Sequence, residues 1–306
     1  MPDIFTDHNH LKIVSLLNNG ITKVPVSLFN LPELKYLNLS YNKITSIPEF
    51  ISYGCAKLKY LNLSINKISI LPKAITGLTL LENIDCSGNI LQSIPNEWEY
   101  LKNLKTVNLA GCGLTNFPDG LQNNTNVEEI NISANRRITS IPDITGDGYQ
   151  LKELNITDAS LTYLPENIGK YKKLEILLIA NAKLMSLPES LGECKNLKTL
   201  YLRNSIVAKT ALPPGFKEAR YLEYLDVSED PLLDHDSVFD VILATPRKNF
   251  MVNLSSNNIT ELPSTKKWLT IPFRSISLNN NPIGTFPVDF MNSKVKGDFF
   301  YRVKDH

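Results

Sequence analysis

The sequence is short of the features that usually announce chemistry. Its four cysteines, Cys55, Cys86, Cys112 and Cys194, lie far apart with no pair at the spacing of a metal site or redox couple. A disulfide framework is therefore excluded as the organising principle, and a reducing compartment is the simpler setting. No apolar run approaches the roughly eighteen residues of a membrane span, so insertion into a membrane is not expected. The opening "MPDIFTDHNH" has no basic leader followed by an apolar stretch, which predicts a chain that is not exported by the usual route and stays in the cytoplasm. The formal net charge is only +1, leaving nothing global to draw the molecule to nucleic acid or an anionic membrane. Neither "GCG" (111–113) nor "GDG" (146–148) has the downstream glycine and lysine of a phosphate-binding loop. No cofactor is expected.

What the chain does have is apolar matter, 42% of it against 21% charged residues, enough for a continuous core. That matter is periodic. "LKYLNLSYNKITSIP" (34–48) and "LKYLNLSINKISILP" (58–72) stand 24 residues apart. Extending the register gives twelve repeats, starting at Leu11, Leu34, Leu58, Leu81, Leu104, Val127, Leu151, Leu174, Leu197, Leu222, Asn249 and Phe273. Their first, fourth and sixth positions are apolar, counting Cys86, in 35 of 36 cases, where composition alone would give about 15. An Ile, Leu or Val follows at the eleventh position, one residue late in the sixth repeat, and then an apolar residue plus proline.

One such unit cannot bury its apolar residues alone, so neighbours must stack into a shared core. The alternating x-L-x-L-x stretch predicts a short strand with one buried face. The prolines predict a return path that is extended or a short helical turn. Two places break the rhythm. The proline of the ninth repeat comes late in "SIVAKTALPPGF", and the tenth repeat predicts a true helix over 237–244, capped by Asp236 or Ser237 and ended by Pro246. The predicted organisation is an N-terminal cap at 1–10 using Ile4 and Phe5, a solenoid over 11–290 that is irregular at 205–248, and a cap or tail at 291–306 using Phe290, Phe299, Phe300 and Tyr301.

The pattern L-x-x-L-x-L-x-x-N/C-x-L resembles the leucine-rich repeat. The segment "LPENIGKYKKLEILLIANAKLMSLPESLGECKNLKTLYL" resembles the intracellular group that includes Ras-binding and cell-polarity scaffolds, with similar repeats in bacterial effectors. The resemblance implies an α/β solenoid: a curved horseshoe with a parallel sheet on its concave face and extended or short helical segments on its convex face. It also implies a monomeric, non-enzymatic module that binds a protein, such as a small GTPase or another signalling protein.

Cys112 sits between two glycines and invites a nucleophile reading. It occupies the ninth repeat position, however, held elsewhere by Asn19, Asn42, Asn66, Asn89, Asn135, Asn257 and Asn281. In the resembled family that side chain turns inward and bonds backbone groups, a role open to a compact weak donor. Ala159, Ala182, Ser205 and Asp230 also replace the asparagine, which predicts a ladder depleted from the fifth to the tenth repeat, with water or backbone substituting. "DHNH" (7–10) and "DHD" (234–236) bring carboxylates beside histidine, but a terminal loop and a helix entry account for them. Seven Asn-x-Ser/Thr triplets, among them Asn38, Asn62, Asn131, Asn155 and Asn253, arise from the repeat itself.

Strand alternation sends the third, fifth, seventh and eighth positions to solvent. The early repeats present Ile13, Leu17, Tyr36, Tyr41, Tyr60 and Ile65. The middle repeats present Asp85, Glu129, Glu153 and Asp158, and the later ones Ile176, Leu178, Tyr201, Arg203 and Tyr224, then Asp226 and Glu229. The candidate protein-binding residues are Tyr36, Tyr60, Glu129, Glu153, Asp158, Ile176, Leu178, Tyr201, Arg203 and Tyr224, because aromatic residues and arginine give large contact area with a polar end. An acidic face repels phosphates, so nucleic acid is not an expected partner. Lysines at the second position (Lys12, Lys35, Lys59, Lys105, Lys152, Lys198) read as a solvated rim. Two rival readings are a substrate- or host-targeting module of a bacterial effector or larger enzyme, the effector then acting in a host cell's cytoplasm rather than that of the producing cell, and a cysteine-dependent enzyme using Cys112.

Overall fold

The computed structural model describes residues 5, 8–244, 249–271, 273–292 and 298–300; Ile4, Pro246 and Tyr301 lie outside them. The chain divides into two compact units, Met1–Ile138 with Thr145–Glu153, and Thr139–Ile144 with Leu154–His306. The first contains strands β1 (Ile13–Ser15), β2 (Tyr36–Asn38), β3 (Tyr60–Asn62), β4 (Asn83–Asp85), β5 (Thr106–Asn108) and β6 (Glu129–Asn131). Strand β7 (Glu153–Asn155) begins with the last residue of that unit. The second contains β8 (Ile176–Leu178), β9 (Thr199–Tyr201), β10 (Tyr224–Asp226), β11 (Phe250–Asn253), β12 (Phe273–Ser277) and β13 (Asp298–Phe300).

Within each unit neighbouring strands are parallel and follow chain order. Equivalent repeat positions face one another, as in Tyr36 to Tyr60 and Leu37 to Leu61. In the three-residue strands β1 to β10 the central residue points into the core: Leu37, Leu61, Leu177, Leu200 and Leu225 are fully buried. The tail read as a cap supplies β13, which pairs with β12 at Ile276 and Phe299.

The return path is a row of short helical turns, for a local reason. Proline fixes φ near the helical value and its carbonyl stays free to accept. Pro25, Pro72, Pro95, Pro188 and Pro213 each accept the N–H of the residue three on, at 3.0 to 3.3 Å. Each turn then drops at least one apolar side chain into the core, among them Leu28 with Phe29, Ile75, Trp98, Leu191 and Phe216. The one longer helix among the described residues, His235–Ala244, starts two residues before the predicted position. Ser237 is not its cap: its hydroxyl donates to the Asp234 carbonyl at 2.6 Å and accepts from Leu212 N–H at 2.9 Å, pinning the helix to the ninth repeat. Phe239 meets Trp268 edge-on at 6.3 Å, and Trp268 meets Phe290 edge-on at 5.0 Å. Phe290 is buried there, and it also stacks on Phe286 at 5.5 Å.

In the ninth and tenth repeats the eleventh-position residues, Val207 and Leu232, are both 47% exposed, while neighbouring Ile206 and Leu233 are buried. The late proline and the helix shift the chain by one residue in opposite directions there, so apolar identity at the eleventh position does not guarantee burial.

The ninth position holds the turns to one another. Asn66 donates Nδ2 to the sixth-position carbonyls of its own and the preceding repeat, Leu63 and Leu39, and accepts Ile44 N–H on Oδ1. Asn42, Asn89, Asn135 and Asn281 repeat the arrangement. The predicted depletion is only partial. Cys112 gives its thiol to the Cys86 carbonyl at 3.1 Å, and Ser205 gives its hydroxyl to that of Ile179. Only Ala159 and Ala182 have no side-chain group to contribute.

Asp230 is the instructive substitute. It is fully buried, and Oδ1 accepts Ser205 and Ile206 N–H at 2.6 and 2.7 Å, the acceptor half of the asparagine role. Oδ2 is buried with no partner, at the atom where asparagine would donate. Burial, with smaller repulsions from Asp226 and Glu229, pushes this carboxyl up to about 7 against the two backbone hydrogen bonds. The fold therefore prefers the neutral acid. Its stabilising contribution is complete below the ordinary aspartate range and is lost as pH rises from there through about 7. The Asp230→Asn variant restores the missing donor without a proton to lose. We expect it to raise the unfolding midpoint at pH 8 by roughly 2–4 °C and to flatten the decline in stability between pH 4 and 8, read by calorimetry.

Candidate functional site

The strand faces are built by two side-chain devices. At the fifth position an Asn or Asp accepts the N–H of the residue two on and, where that residue is serine, often its hydroxyl as well. Asn38 with Ser40, Asn62 with Ser64, Asp85 with Ser87 and Asp226 with Ser228 all do this at 2.6 to 3.0 Å. This is an Asx turn that ends the strand. It draws the seventh position inward: Ser40, Ser64 and Ser228 are buried and Ser87 half-buried rather than solvent-facing; Ala180 is buried without such a turn, and Leu17 and Arg203, also without one, are exposed. Asp226 is also corrected, being buried beneath the face and accepting from Tyr224, Ser228 and Asn253.

The second device is backbone conformation. The eighth residue of all twelve repeats has φ between +51° and +65°. Asn, Asp and Gly tolerate this region, whereas bulky and β-branched side chains rarely adopt it. Asn18, Gly88, Gly111, Asp158, Asn181, Asn204 and Asn280 fit that expectation; Tyr41 and Ile65 do not.

In the first unit the strand register places Tyr36 directly on Tyr60, half-buried, rings stacked at 4.4 Å and 4°. Around them Ile13, Tyr41 and Ile65 are 68%, 57% and 44% exposed. Farther along, Glu129 is exposed and Glu153 half-buried; burial, then the charge of Glu129, raises the Glu153 carboxyl above its ordinary range. In the second unit Ile176, Leu178 and Tyr201 lie half-buried on consecutive strands. Tyr201 stacks on Tyr224 at 6.4 Å, and the Tyr224 hydroxyl donates to Asp226 at 2.9 Å. Arg203 gives two hydrogen bonds to Glu229, at 2.7 and 3.2 Å, so the one base of this face is already paired. Asp158 accepts from Asn181 at 2.7 Å. The structure thus joins Tyr36 with Tyr60, Glu129 with Glu153, and Ile176, Leu178, Tyr201, Arg203 and Tyr224 in one patch.

The lysine rim is more than solvated. Lys59 pairs with Glu82, Lys152 with Glu128 and Lys198 with Glu175, each from one repeat to its neighbour at 2.5 to 2.6 Å. Exposed pairs of this kind add little stability, but they neutralise three of the six rim lysines, while Lys105 shares Glu82 at 4.0 Å.

All four cysteines are free and buried. Burial pushes the Cys55 and Cys112 thiols to about 11 and Cys194 to about 12, and holds Cys86 well above its ordinary value. A nucleophile must be a thiolate with access to substrate, and Cys112 is neither. Among the described residues no three or more His, Cys, Asp or Glu side chains converge for a metal, so "DHD" forms no such group; Asp7 of "DHNH" lies outside them. No helix among them is long and apolar enough to cross a membrane.

Residues 9–68 match the family "Leucine rich repeat", 103–124 match "Leucine Rich Repeat", and 115–211 match "BspA type Leucine rich repeat region (6 copies)". No curated protein sequence matches the chain significantly. Among solved structures, a leucine-rich repeat protein of Leptospira interrogans is similar at 20% identity and TM-score 0.69, over 97% of this chain and 84% of that one. The LRIM1/APL1C complex is similar at 19% identity and TM-score 0.73, over 91% of this chain and 50% of that one. The plant peptide hormone receptor RGFR1 in complex with RGF2 is similar at 19% identity and TM-score 0.60, over 95% of this chain and 51% of that one. The chain thus spans about half the length of the last two.

The buried thiols yield a direct expectation. In native protein none of the four cysteines reacts with a thiol-specific chromogenic reagent within minutes, and all four react once the chain is denatured. Rapid native labelling of Cys112 would restore the nucleophile reading.

Proposed function

Taking as premise that the chain is a leucine-rich repeat protein, we propose that it is a non-enzymatic binding module that holds a protein partner on its strand faces. One observation carries the reading. Tyr41 and Ile65 occupy a left-handed position that costs such side chains energy, and they spend it on exposed apolar surface the core does not use. Together with Ile13 and the Tyr36–Tyr60 stack they make an apolar patch of the kind partners cover. The patch of Ile176, Leu178, Tyr201, Arg203 and Tyr224 has the same chemistry in the second unit. Here Arg203 and Glu229 are preformed as a pair that can exchange for pairs with the partner. Glu129, Glu153 and Asp158 favour a partner with basic or mixed surface.

The similar structures are consistent in kind, since two of them are complexes. The four separate thiols fit a reducing compartment. The proposal places the module in the cytoplasm, within intracellular signalling, with a GTPase-like or other signalling protein as partner.

The test is affinity capture with mass spectrometry, followed by titration of the captured partner. Tyr201→Ala with Arg203→Ala should weaken binding by roughly tenfold or more, as hot-spot losses do, with the circular dichroism spectrum and unfolding midpoint unchanged. Tyr36→Ala with Tyr60→Ala tests the first unit in the same way. Unchanged affinity in both double variants would remove the strand faces from the binding site.

A further inference from the structure

The two rims of the first unit differ in charge balance. The rim before the strands carries the Lys–Glu pairs described above. The rim after them carries Lys43, Lys67, Arg136 and Arg137, none of which forms an ion pair among the described residues. Arg136 and Arg137 belong to the sixth repeat, whose extra residue disturbs the local hydrogen bonding. In regular repeats the tenth-position N–H donates to the eleventh-position carbonyl one repeat back: Lys43 to Ile21, Lys67 to Ile44 and Ile90 to Ile68, at 2.8 to 3.0 Å. The N–H groups of Gly113 and Arg136 at the same position make no such bond, and neither does that of the adjoining Arg137.

Gly113, Arg136 and Arg137 line one depression of about 410 Å³, together with Ile90, Gln92 and Gly111 among others. No carboxylate lines it. Gly111 and Gly113, at φ +61° and +74°, have open space where a Cβ would stand, so the backbone there can be approached closely. Two guanidinium forks, three peptide N–H groups without an acceptor and no acid form a donor set in search of an anion. The apolar wall matters too. Ile90 is 58% exposed and also lines an adjoining depression of about 520 Å³ with Ile70, itself 74% exposed.

We propose that this depression, centred on Arg136, Arg137 and the amide of Gly113, is a binding site for a phosphate monoester whose stem lies toward Ile90 and Ile70. A carboxylate offers two acceptor oxygens and one charge; a phosphate monoester offers three terminal oxygens and close to two charges at neutral pH, which matches the donors better. The site lies beyond the strand ends and is independent of the strand-face reading.

The test is a calorimetric titration of the full chain at pH 7.5 and low salt with phenyl phosphate, inorganic phosphate and benzoate. Phenyl phosphate should bind saturably at millimolar concentration or below, and more tightly than benzoate. Arg136→Ala with Arg137→Ala should weaken it by roughly tenfold or more, the loss of charge-assisted hydrogen bonds, with an unchanged unfolding midpoint. Arg136→Lys with Arg137→Lys keeps the charge and loses the forks, and should recover only part of the affinity. Lys43→Ala with Lys67→Ala should leave it intact. Inorganic phosphate binding as tightly as phenyl phosphate would show that the site takes free phosphate and would overturn the stem contact with Ile90 and Ile70. No saturable binding, equal affinity for benzoate, full affinity in the double alanine variant, or an equal loss in the lysine variants would overturn the assignment.

Discussion

Each strand in this protein is three to five residues long, and at its end the chain must turn away while the sixth-position carbonyl is still inside. A buried carbonyl without a donor costs about 1–3 kcal/mol, and the sequence offers a dozen such places. In five of the twelve repeats the ninth-position asparagine resolves this by giving to two strand-end carbonyls and taking one or two loop N–H groups, and Cys112, Ser205 and Asn257 each give to one. It is a bond between repeats as much as within one. Hydrophobic burial draws the turns together without direction, and this polar ladder fixes how each sits on the next. Asp230 shows the same constraint from the other side, because a carboxyl fills the acceptor half and must keep its proton to approach the donor half.

With the ladder in place, the strand faces are free of structural duty at some positions and not at others. The fifth position is committed to its Asx turn, as Asn38 and Asp226 show. The third and eighth positions are not, and there the chain carries Tyr36, Tyr60, Tyr41 and Ile65. Asparagine or glycine at the eighth position would relieve the backbone. The presence of tyrosine and isoleucine marks those sites as chosen for their side chains.

Much of this was legible in the sequence because the core imposes a period that composition cannot imitate. Leu37, Leu61 and Leu200 read correctly as strand centres, and Asn42 and Asn66 as inward-turning ladder residues. The rest failed for local reasons. The Asn-x-Ser/Thr triplets are the trace of the fifth-position turn, but the same letters are compatible with an exposed asparagine, so the burial of Ser40 and Ser64 was not foreseen. Left-handed φ is a backbone property, visible only as a bias to Asn, Asp and Gly that Tyr41 and Ile65 dilute. Val207 and Leu232 carry the right residue type one position from the buried site. Ion pairing along the lysine rim required knowing that Glu82 and Lys59 stand one repeat apart on the same edge. The pairing of Tyr36 with Tyr60 followed from register alone, whereas the Arg203–Glu229 pair depended on the eighth position turning outward.

Native-state hydrogen exchange on the loop amides tests the ladder most directly. The N–H groups of Ile44, Ile68, Leu114 and Ile259 end on asparagine side-chain oxygens, and the account predicts protection equal to that of the strand-end amides of Leu39 and Leu63, with Leu161, opposite Ala182, exchanging sooner. Exchange of Ile44, Ile68, Leu114 and Ile259 at the rate of exposed loop amides would contradict it.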